Sequence, residues 1–243
     1  MPSSRPAERQ VLYRKHPLAI RWFHWINFPV LFLMIWSGGL ILWANNVFGI
    51  RVGGRVVTEQ VVPSKLLERY GQDHRLAEGM GWHFTLAWLF AINGALYVLY
   101  VLLSGAWREI FPNQHSLKES FLVVLHDLRL RRVAPPQGKY NGAQRIAYTL
   151  VIVMGLGSLL TGLAIYKPTQ LGRLTATLGG YDAARFFHFW LTIGFLAFFA
   201  VHILQVVRAG WNNFRSMVTG TELAPASAQI AGESRIAAEE VPA

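Results

Sequence analysis

The sequence predicts an all-α integral membrane protein, a four-helix bundle with both its N- and C-termini in the cytoplasm. Three observations lead to this prediction. Hydrophobic residues make up 53% of the 243-residue chain, above the roughly 45–50% apolar usage of soluble domains. Four apolar stretches reach the about twenty residues that a helix needs to cross a bilayer. Lys and Arg are distributed unequally between the two sides that these stretches would define.

The predicted spans form one transmembrane domain over residues 1–218. The first span follows a basic arm, as a signal peptide would, but its apolar run exceeds the 7–15 residues of a signal core and lacks a small-residue cleavage site, so we expect it to be retained. Six of the nine tryptophans fall near span ends, where amphipathic rings prefer the interface. The spans cover about 22–43, 80–103, 146–166 and 186–207.

The positive charges give the orientation. The N-terminal arm, the loop 104–145 and the C-terminal tail together carry 15 of the 23 Lys and Arg residues, and the other two loops carry 8. The excess of positive charge marks the cytoplasmic side, and an even number of spans requires both termini to share it. Because the net charge of +10 lies beside apolar runs, we expect membrane lipid rather than nucleic acid as the partner surface. The expected location is the bacterial inner membrane.

The loops and tail differ in composition. The outward-facing loop, residues 44–79, contains an amphipathic helix start at 63–70 with proline near its first position. The inward-facing loop contains a predicted surface helix at 117–130. Residues 219–243 are rich in small residues and Glu, and they are predicted to form a disordered cytoplasmic tail.

The histidines carry the predicted chemistry. The chain has no cysteine, which excludes disulfides, iron–sulfur clusters and covalent c-type heme. Ionisable groups inside a membrane are costly and usually functional, and neutral imidazole is a common metal ligand. No Asp, Glu, Lys or Arg accompanies the histidines inside the spans. Four loop or arm histidines are expected to be solvated, His16, His74, His115 and His126, whereas four lie inside spans, His24, His83, His188 and His202.

Depth sorts the intramembrane histidines into two pairs. His188 and His202 are 14 residues apart on one span, about 21 Å along a helix and about 40° short of four full turns. His83 lies at the depth of His188, and His24 at the depth of His202. We call His83 and His188 the outer pair, and His24 and His202 the inner pair. The arrangement predicts two non-covalent b-type hemes, each with two axial histidines on its iron.

Glycines lie at the outer-pair depth on the two spans that have no histidine there. These glycines could leave space for a heme or could allow the helices to pack closely. Both interpretations fit equally well and stay open. These glycines are Gly38 and Gly39 on the first span and Gly155, Gly157 and Gly162 on the third.

Several segments resemble the di-heme cytochrome b membrane subunits of bacterial formate dehydrogenase, thiosulfate reductase and nickel–iron hydrogenase. The resemblance extends from about residue 14 to 218 and implies the same two pairs of heme ligands. It also implies a quinone near the cytoplasmic-side heme, beside Asn141, and we expect His202 and Gln205 to line that quinone site. The segments that carry it are Arg21-Trp-Phe-His-Trp, Gly79-Met-Gly-Trp-His, Arg185-Phe-Phe-His-Phe-Trp, Val201-His and Lys139-Tyr-Asn-Gly-Ala-Gln-Arg.

The resemblance implies an electron-transfer subunit rather than a complete enzyme. It would anchor a periplasmic redox subunit, with a molybdenum oxidoreductase as the expected class, and link it to the quinone pool. That partner is expected to dock on the outer face, where the loop 44–79 could form a platform or simply cap the outer heme.

The alternative is a stand-alone cytochrome b that oxidises superoxide or a small reductant and reduces quinone. A transporter or proton channel is disfavoured because the spans lack carboxylates. A purely structural scaffold is disfavoured because anchoring would not require four intramembrane imidazoles.

Overall fold

A computed structural model describes residues 10–44, 50–52, 55–58, 64–72, 74–127, 129–133 and 140–225. Within these ranges the chain forms eight helices and four short strands. In chain order they are β1 (Gln10–Arg14), α1 (Leu18–Ala44), β2 (Ile50–Val52), β3 (Arg55–Thr58), α2 (Ser64–Arg69), α3 (Leu76–Leu103), α4 (Trp107–Ile110), α5 (Ser116–Asp127), α6 (Gly142–Tyr166), α7 (Gly172–Thr177), α8 (Tyr181–Thr219) and β4 (Thr221–Pro225).

Four of the described helices, α1, α3, α6 and α8, are long and apolar enough to cross a membrane. They contain the predicted spans. Each begins about one turn earlier than predicted, and α8 ends at Thr219 rather than near residue 207. Many of their large apolar side chains point outward: Trp88 is 69% exposed and Leu103 is 79% exposed. Such surfaces are unusual in soluble proteins but suit contact with lipid. The predicted membrane fold is therefore confirmed.

The chain is organised as two compact units. The central unit comprises residues 25–198, and the terminal unit combines residues 1–24 with 199–243. Helices α1 and α8 contribute residues to both.

Close helix contacts shape the central unit. A Cβ built at Gly79 on α3 would lie 2.8 Å from Cβ of Leu40 and 3.1 Å from the carbonyl oxygen of Ser37, both on α1. A Cβ at Gly142, the first residue of α6, would lie 2.5 Å from the Ser116 carbonyl oxygen on α5. Glycine therefore permits α1 to approach α3, and α5 to approach α6, as small residues do in membrane bundles.

The terminal unit contains a contact that the sequence did not predict. β1 pairs antiparallel with β4, with Gln10 opposite Pro225 and Arg14 opposite Thr221. Residues 221–225, predicted to belong to the disordered tail, therefore form a strand because their backbone groups find partners in β1; residues 226–243 lie outside the described part of the chain. α8 bends before it reaches β4, at Gly210, whose φ of 81° favours glycine.

Side chains strengthen this pairing. The Tyr13 hydroxyl donates to Glu222 at 2.6 Å, and Lys15 Nζ lies 2.6 Å from the same carboxylate. Lys15 also donates to the Asn213 side chain on α8 at 2.7 Å. We call Tyr13, Lys15, Asn213 and Glu222, with the two strands that they join, the terminal clasp. It connects the entry into α1 with the end of α8.

The predicted loop helices are present with shifted limits. The helix predicted to start at 63–70 is α2, Ser64–Arg69, and Pro63 lies outside the described residues. The surface helix predicted at 117–130 is α5, Ser116–Asp127. The outer loop also contains the β2–β3 hairpin, which was not predicted.

Candidate heme sites

The outer pair lies in the central unit, with His83 on α3 and His188 on α8. The ring centroids are 6.2 Å apart and the ring planes are inclined at 75°. Metal–imidazole nitrogen bonds of about 2.0–2.1 Å on opposite sides of one ion place the ring centres about 6 Å apart. The spacing of the outer pair therefore suits two axial ligands of one heme iron.

Hydrogen bonds determine which nitrogen of His83 faces the space between the rings. Its Nδ1 lies 3.1 Å from the Met34 carbonyl oxygen and 3.1 Å from Oγ of Ser37. A carbonyl only accepts, so Nδ1 must carry the proton. Ser37 Oγ itself donates to the Met34 carbonyl at 3.1 Å. Because Nδ1 is protonated, Nε2 keeps its lone pair for a metal.

His188 has matching partners on α6. Its Nδ1 lies 2.9 Å from Oγ1 of Thr161, beside the backbone of Ser158. Thr161 Oγ1 donates to the Gly157 carbonyl at 2.7 Å and lies 3.2 Å from that of Ser158. Since the threonine proton is directed to backbone carbonyls, the hydroxyl oxygen accepts from Nδ1–H. His188, like His83, therefore offers Nε2 as its ligand atom.

Two of the predicted glycines lie against these rings. A Cβ at Gly38 would lie 3.3 Å from Cε1 of His83, and one at Gly162 would lie 3.4 Å from Cε1 of His188. The other three meet different neighbours: Gly39 faces Trp43, Gly155 faces Phe90 and Gly157 faces Leu191. Gly38 and Gly162 thus make room for the rings themselves.

The inner pair belongs to the terminal unit, with His24 on α1 and His202 on α8. The ring centroids are 6.1 Å apart and the planes are inclined at 55°. One turn before His24, Arg21 donates to the Val218 carbonyl at 2.6 Å. A Cβ at Gly220 would lie 3.1 Å from Arg21 Cζ, so glycine lets the guanidinium pack against the end of α8.

Both pairs fit heme better than a bare metal ion. No group of three or more His, Asp or Glu side chains in the described residues could hold a metal by itself. A heme needs only one or two protein ligands, because the macrocycle supplies the remaining nitrogens. Two paired imidazoles at the spacing of axial ligands meet that need at each site. A heme bound there would supply one-electron chemistry at its iron.

The predicted quinone residues fall in different units. Asn141, in the central unit, is the N-cap of α6: its side-chain oxygen accepts from the Gln144 backbone N–H at 2.9 Å, and the Gln144 side chain accepts from the Asn141 N–H at 3.1 Å. This capping box uses the side-chain oxygen of Asn141 as acceptor. It does not use the side-chain NH2, which would donate to a quinone. In the terminal unit, Gln205 lies on α8 with an exposed side chain.

Sequence reasoning missed Ser37 and Thr161, which contact the outer pair. A signal was present, since each hydroxyl immediately precedes one of the ring-facing glycines.

The remaining four histidines lie outside the spanning helices or at their margins. Of these, His74 and His115 are exposed, and His126 lies 3.7 Å from Asp127.

Comparison with known proteins identifies the family of this chain. Residues 15–220 match the family described as prokaryotic cytochrome b561. The chain is also 30% identical, over 196 residues, to the putative protein-methionine-sulfoxide reductase subunit YedZ1 of Azospira oryzae, an alignment that covers 80% of this chain and 91% of the relative. The resemblance to membrane cytochromes b is thereby confirmed. The chain belongs to the prokaryotic cytochrome b561 family, multi-pass proteins of the bacterial inner membrane that transfer electrons through heme b.

Proposed function

We propose that this chain binds two b-type hemes, one at the outer pair and one at the inner pair, and carries electrons from a membrane quinol to a periplasmic redox subunit. The observation that carries the proposal is the presence of two histidine pairs with ring separations of 6.2 and 6.1 Å. Each spacing suits one bis-histidine heme. Four ligands on helices long enough to span a membrane suit a path for electrons across it.

The similar Azospira oryzae protein suggests the chemistry of the partner. Its name describes a subunit of a protein-methionine-sulfoxide reductase. Reduction of a sulfoxide to a thioether and water consumes two electrons and two protons, and oxidation of a quinol to a quinone releases the same number. Electrons would therefore pass singly through the hemes from quinol to the partner's sulfoxide-reducing site. A molybdenum enzyme as that partner remains a prediction.

The side and residues of the quinone site also remain predictions. Quinone is expected at the cytoplasmic end, near Asn141, His202 and Gln205. A buried quinone carbonyl requires a hydrogen-bond donor, because an unpaired polar atom in a low-dielectric site is costly. Amide side chains supply such donors.

The test uses the full chain purified in detergent. Heme extracted into acidified acetone and quantified against protein should give two per chain. Excess quinol should reduce both hemes, and reoxidation should require both the co-purified partner and a methionine-sulfoxide protein. One heme per chain would contradict the two-site proposal. Reduction of the hemes by superoxide, followed by their reoxidation by quinone without any partner, would instead favour the stand-alone alternative.

A further inference from the structure

Two spanning helices, α1 and α6, contribute no histidine to the outer pair, but both present the same arrangement of groups to its rings. On each helix, three groups surround the edge of one imidazole. They are a backbone group, a hydroxyl three residues later, and the glycine that directly follows the hydroxyl. We call each arrangement a cradle. The cradle of His83 consists of Met34, Ser37 and Gly38 on α1, and that of His188 consists of Ser158, Thr161 and Gly162 on α6.

We propose that Ser37 and Thr161 are positioning residues that set the ligand strength of the outer pair and hence the midpoint potential of the outer heme. This inference rests on the proposed ligation by His83 and His188. Each hydroxyl lies within hydrogen-bond distance of Nδ1, at 3.1 Å from His83 and 2.9 Å from His188. Each therefore helps to keep the proton on Nδ1 and to direct Nε2 toward the iron.

Burial makes these hydroxyls difficult to replace. Ser37 is 0% exposed and Thr161 is 3% exposed. If either were removed, water could not easily enter to replace it, and Nδ1–H would lose one of its acceptors. The glycines contribute by a different route, since they let each ring approach the helix closely enough for these bonds to form.

A stronger acceptor at Nδ1–H makes an imidazole a more basic ligand. A more basic ligand stabilises the oxidised, more positive iron, and so it lowers the midpoint potential. Removing a cradle hydroxyl should therefore raise the midpoint potential of the outer heme alone. The hydrogen bonds described for Ser37 and Thr161 lie within the central unit, whereas His24 and His202 belong to the terminal unit, so the inner heme should be unaffected.

The two cradles should contribute unequally. Ser37 shares the Nδ1 proton with the Met34 carbonyl at an equal distance of 3.1 Å. Thr161 lies closer to its ring, at 2.9 Å, and its own proton is directed to Gly157 at 2.7 Å. Hydrogen bonds in such a chain polarise and strengthen one another. Loss of the Thr161 hydroxyl should therefore have the larger effect.

The experiment is a redox titration of the purified full chain carrying Thr161→Val, which keeps the side-chain shape and removes the hydroxyl. At a fixed potential near the outer midpoint, the reduced-to-oxidised ratio of one heme should rise on the order of tenfold, the effect size typical of second-shell changes, or 59 mV for a one-electron couple. Thr161→Ser should restore the original value. Ser37→Ala should shift the same heme by less. The matched control is Thr85→Val: among the described residues, the Thr85 hydroxyl bonds the Gly81 carbonyl of its own helix, α3, and the side chain is exposed.

The outcomes separate this inference from the proposed function. His188→Ala must first remove one spectral component; if it removes none, ligation by the outer pair is wrong. If His188→Ala removes a component but Thr161→Val and Ser37→Ala both leave its midpoint unchanged, the cradle inference is wrong. A shift that Thr161→Ser fails to reverse, or an equal shift of both hemes, also overturns it. If Thr161→Val does not retain heme, Ser37→Ala and Thr161→Ser decide the question by the same measurement.

Discussion

The outer and inner pairs have nearly equal ring separations, 6.2 and 6.1 Å, but different surroundings. Around the outer pair the described contacts are neutral: two hydroxyls, backbone groups and two glycines. The inner pair belongs to the unit that holds the terminal clasp. That unit has an arginine one turn before His24 and the ion pair between Lys15, just after β1, and Glu222 on β4. If each pair ligates one heme iron, as proposed, ligation would fix the spacing of the rings, whereas the different surroundings could tune each heme separately.

The largest expected effect comes from removing one member of each pair. His188→Ala should abolish the outer heme and His202→Ala the inner heme, because an iron that loses an axial ligand inside the bundle loses its main attachment. Each variant should retain about half of the heme, and redox titration should show that different components remain. The control is His115→Ala, an exposed loop residue. Loss of the same component in both variants would break the distinction between the pairs.

A smaller effect is expected from filling the space beside His83. Gly38→Val would place a Cβ 3.3 Å from Cε1 of that ring and would add two methyl groups beyond it. The ring must shift, so affinity for the outer heme should fall by about tenfold, the lower end of the range for disturbed second-shell partners. Heme retention during dilution and titration with hemin would measure this.

Gly94→Val is the matched control for that substitution. Gly94 also lies within a spanning helix, α3, but a Cβ built there would have no neighbour within 4 Å apart from the adjacent residues and backbone of its own helix. It should therefore retain both hemes. Equal heme loss from both variants would show that valine disturbs the helices in general, and that the space beside His83 has no special role.

The third effect concerns pH and the terminal clasp. Burial raises the pKa of Glu222, but hydrogen bonds from Lys15 and Tyr13 outweigh it and hold the pKa below the usual 4.5. Burial and the hydrogen bond to Glu222 raise the pKa of Tyr13 to about 12. Glu222 therefore stabilises the clasp above its ordinary pKa, and this contribution is lost as the pH falls through the lowered value. Tyr13 contributes fully below pH 10, and its contribution is lost as the pH rises toward about 12.

Hydrogen exchange of residues 10–14 and 221–225 would measure the opening of the clasp. After correction for intrinsic exchange, protection should be constant near neutral pH and should decrease below about pH 4.5. Glu222→Gln should weaken protection at neutral pH and remove its dependence on acid. Tyr13→Phe should leave the acid dependence of Glu222 in place. Acid sensitivity that persists in Glu222→Gln would contradict the assignment.

The sequence predicted what depends on composition and helix periodicity. Twenty-residue apolar runs are sufficient to identify a span, and depth along each span brought His83 to the level of His188 and His24 to that of His202. The clasp was not predictable in the same way, because its two strands are separated by about two hundred residues and each has only five residues. Pairing over such a distance leaves little local signal.

The cradles show a different limit. Ser and Thr in membrane helices commonly bond carbonyls of their own helix, as Thr85 and Thr192 do here. Ser37 and Thr161 do so as well, but they also reach a histidine on a neighbouring helix. Helical periodicity does not show which hydroxyl makes the second contact. That information depends on the rotation and separation of packed helices.

The smallest expected effect concerns quinone and Asn141. As the N-cap of α6, Asn141 stabilises the helix by about 1 kcal/mol relative to alanine. Asn141→Ala should therefore lower stability slightly whether or not quinone binds there. If its amide also donates to a quinone carbonyl, quinol-driven reduction of the inner heme should slow several-fold, because the donor to a desolvated carbonyl is lost. Stopped-flow heme reduction at subsaturating quinol would measure the rate.

Asn141→Asp separates these two roles. Aspartate caps a helix about as well as asparagine, but an ionised carboxylate accepts hydrogen bonds and cannot donate them. If Asn141 binds quinone, Asn141→Asp should slow heme reduction as much as Asn141→Ala while keeping the thermal stability of the original chain. If Asn141 only caps α6, Asn141→Asp should reduce its hemes at the original rate, and the quinone site must be sought elsewhere. The static heme spectra should be unchanged in both variants, because neither touches a ligand of either pair.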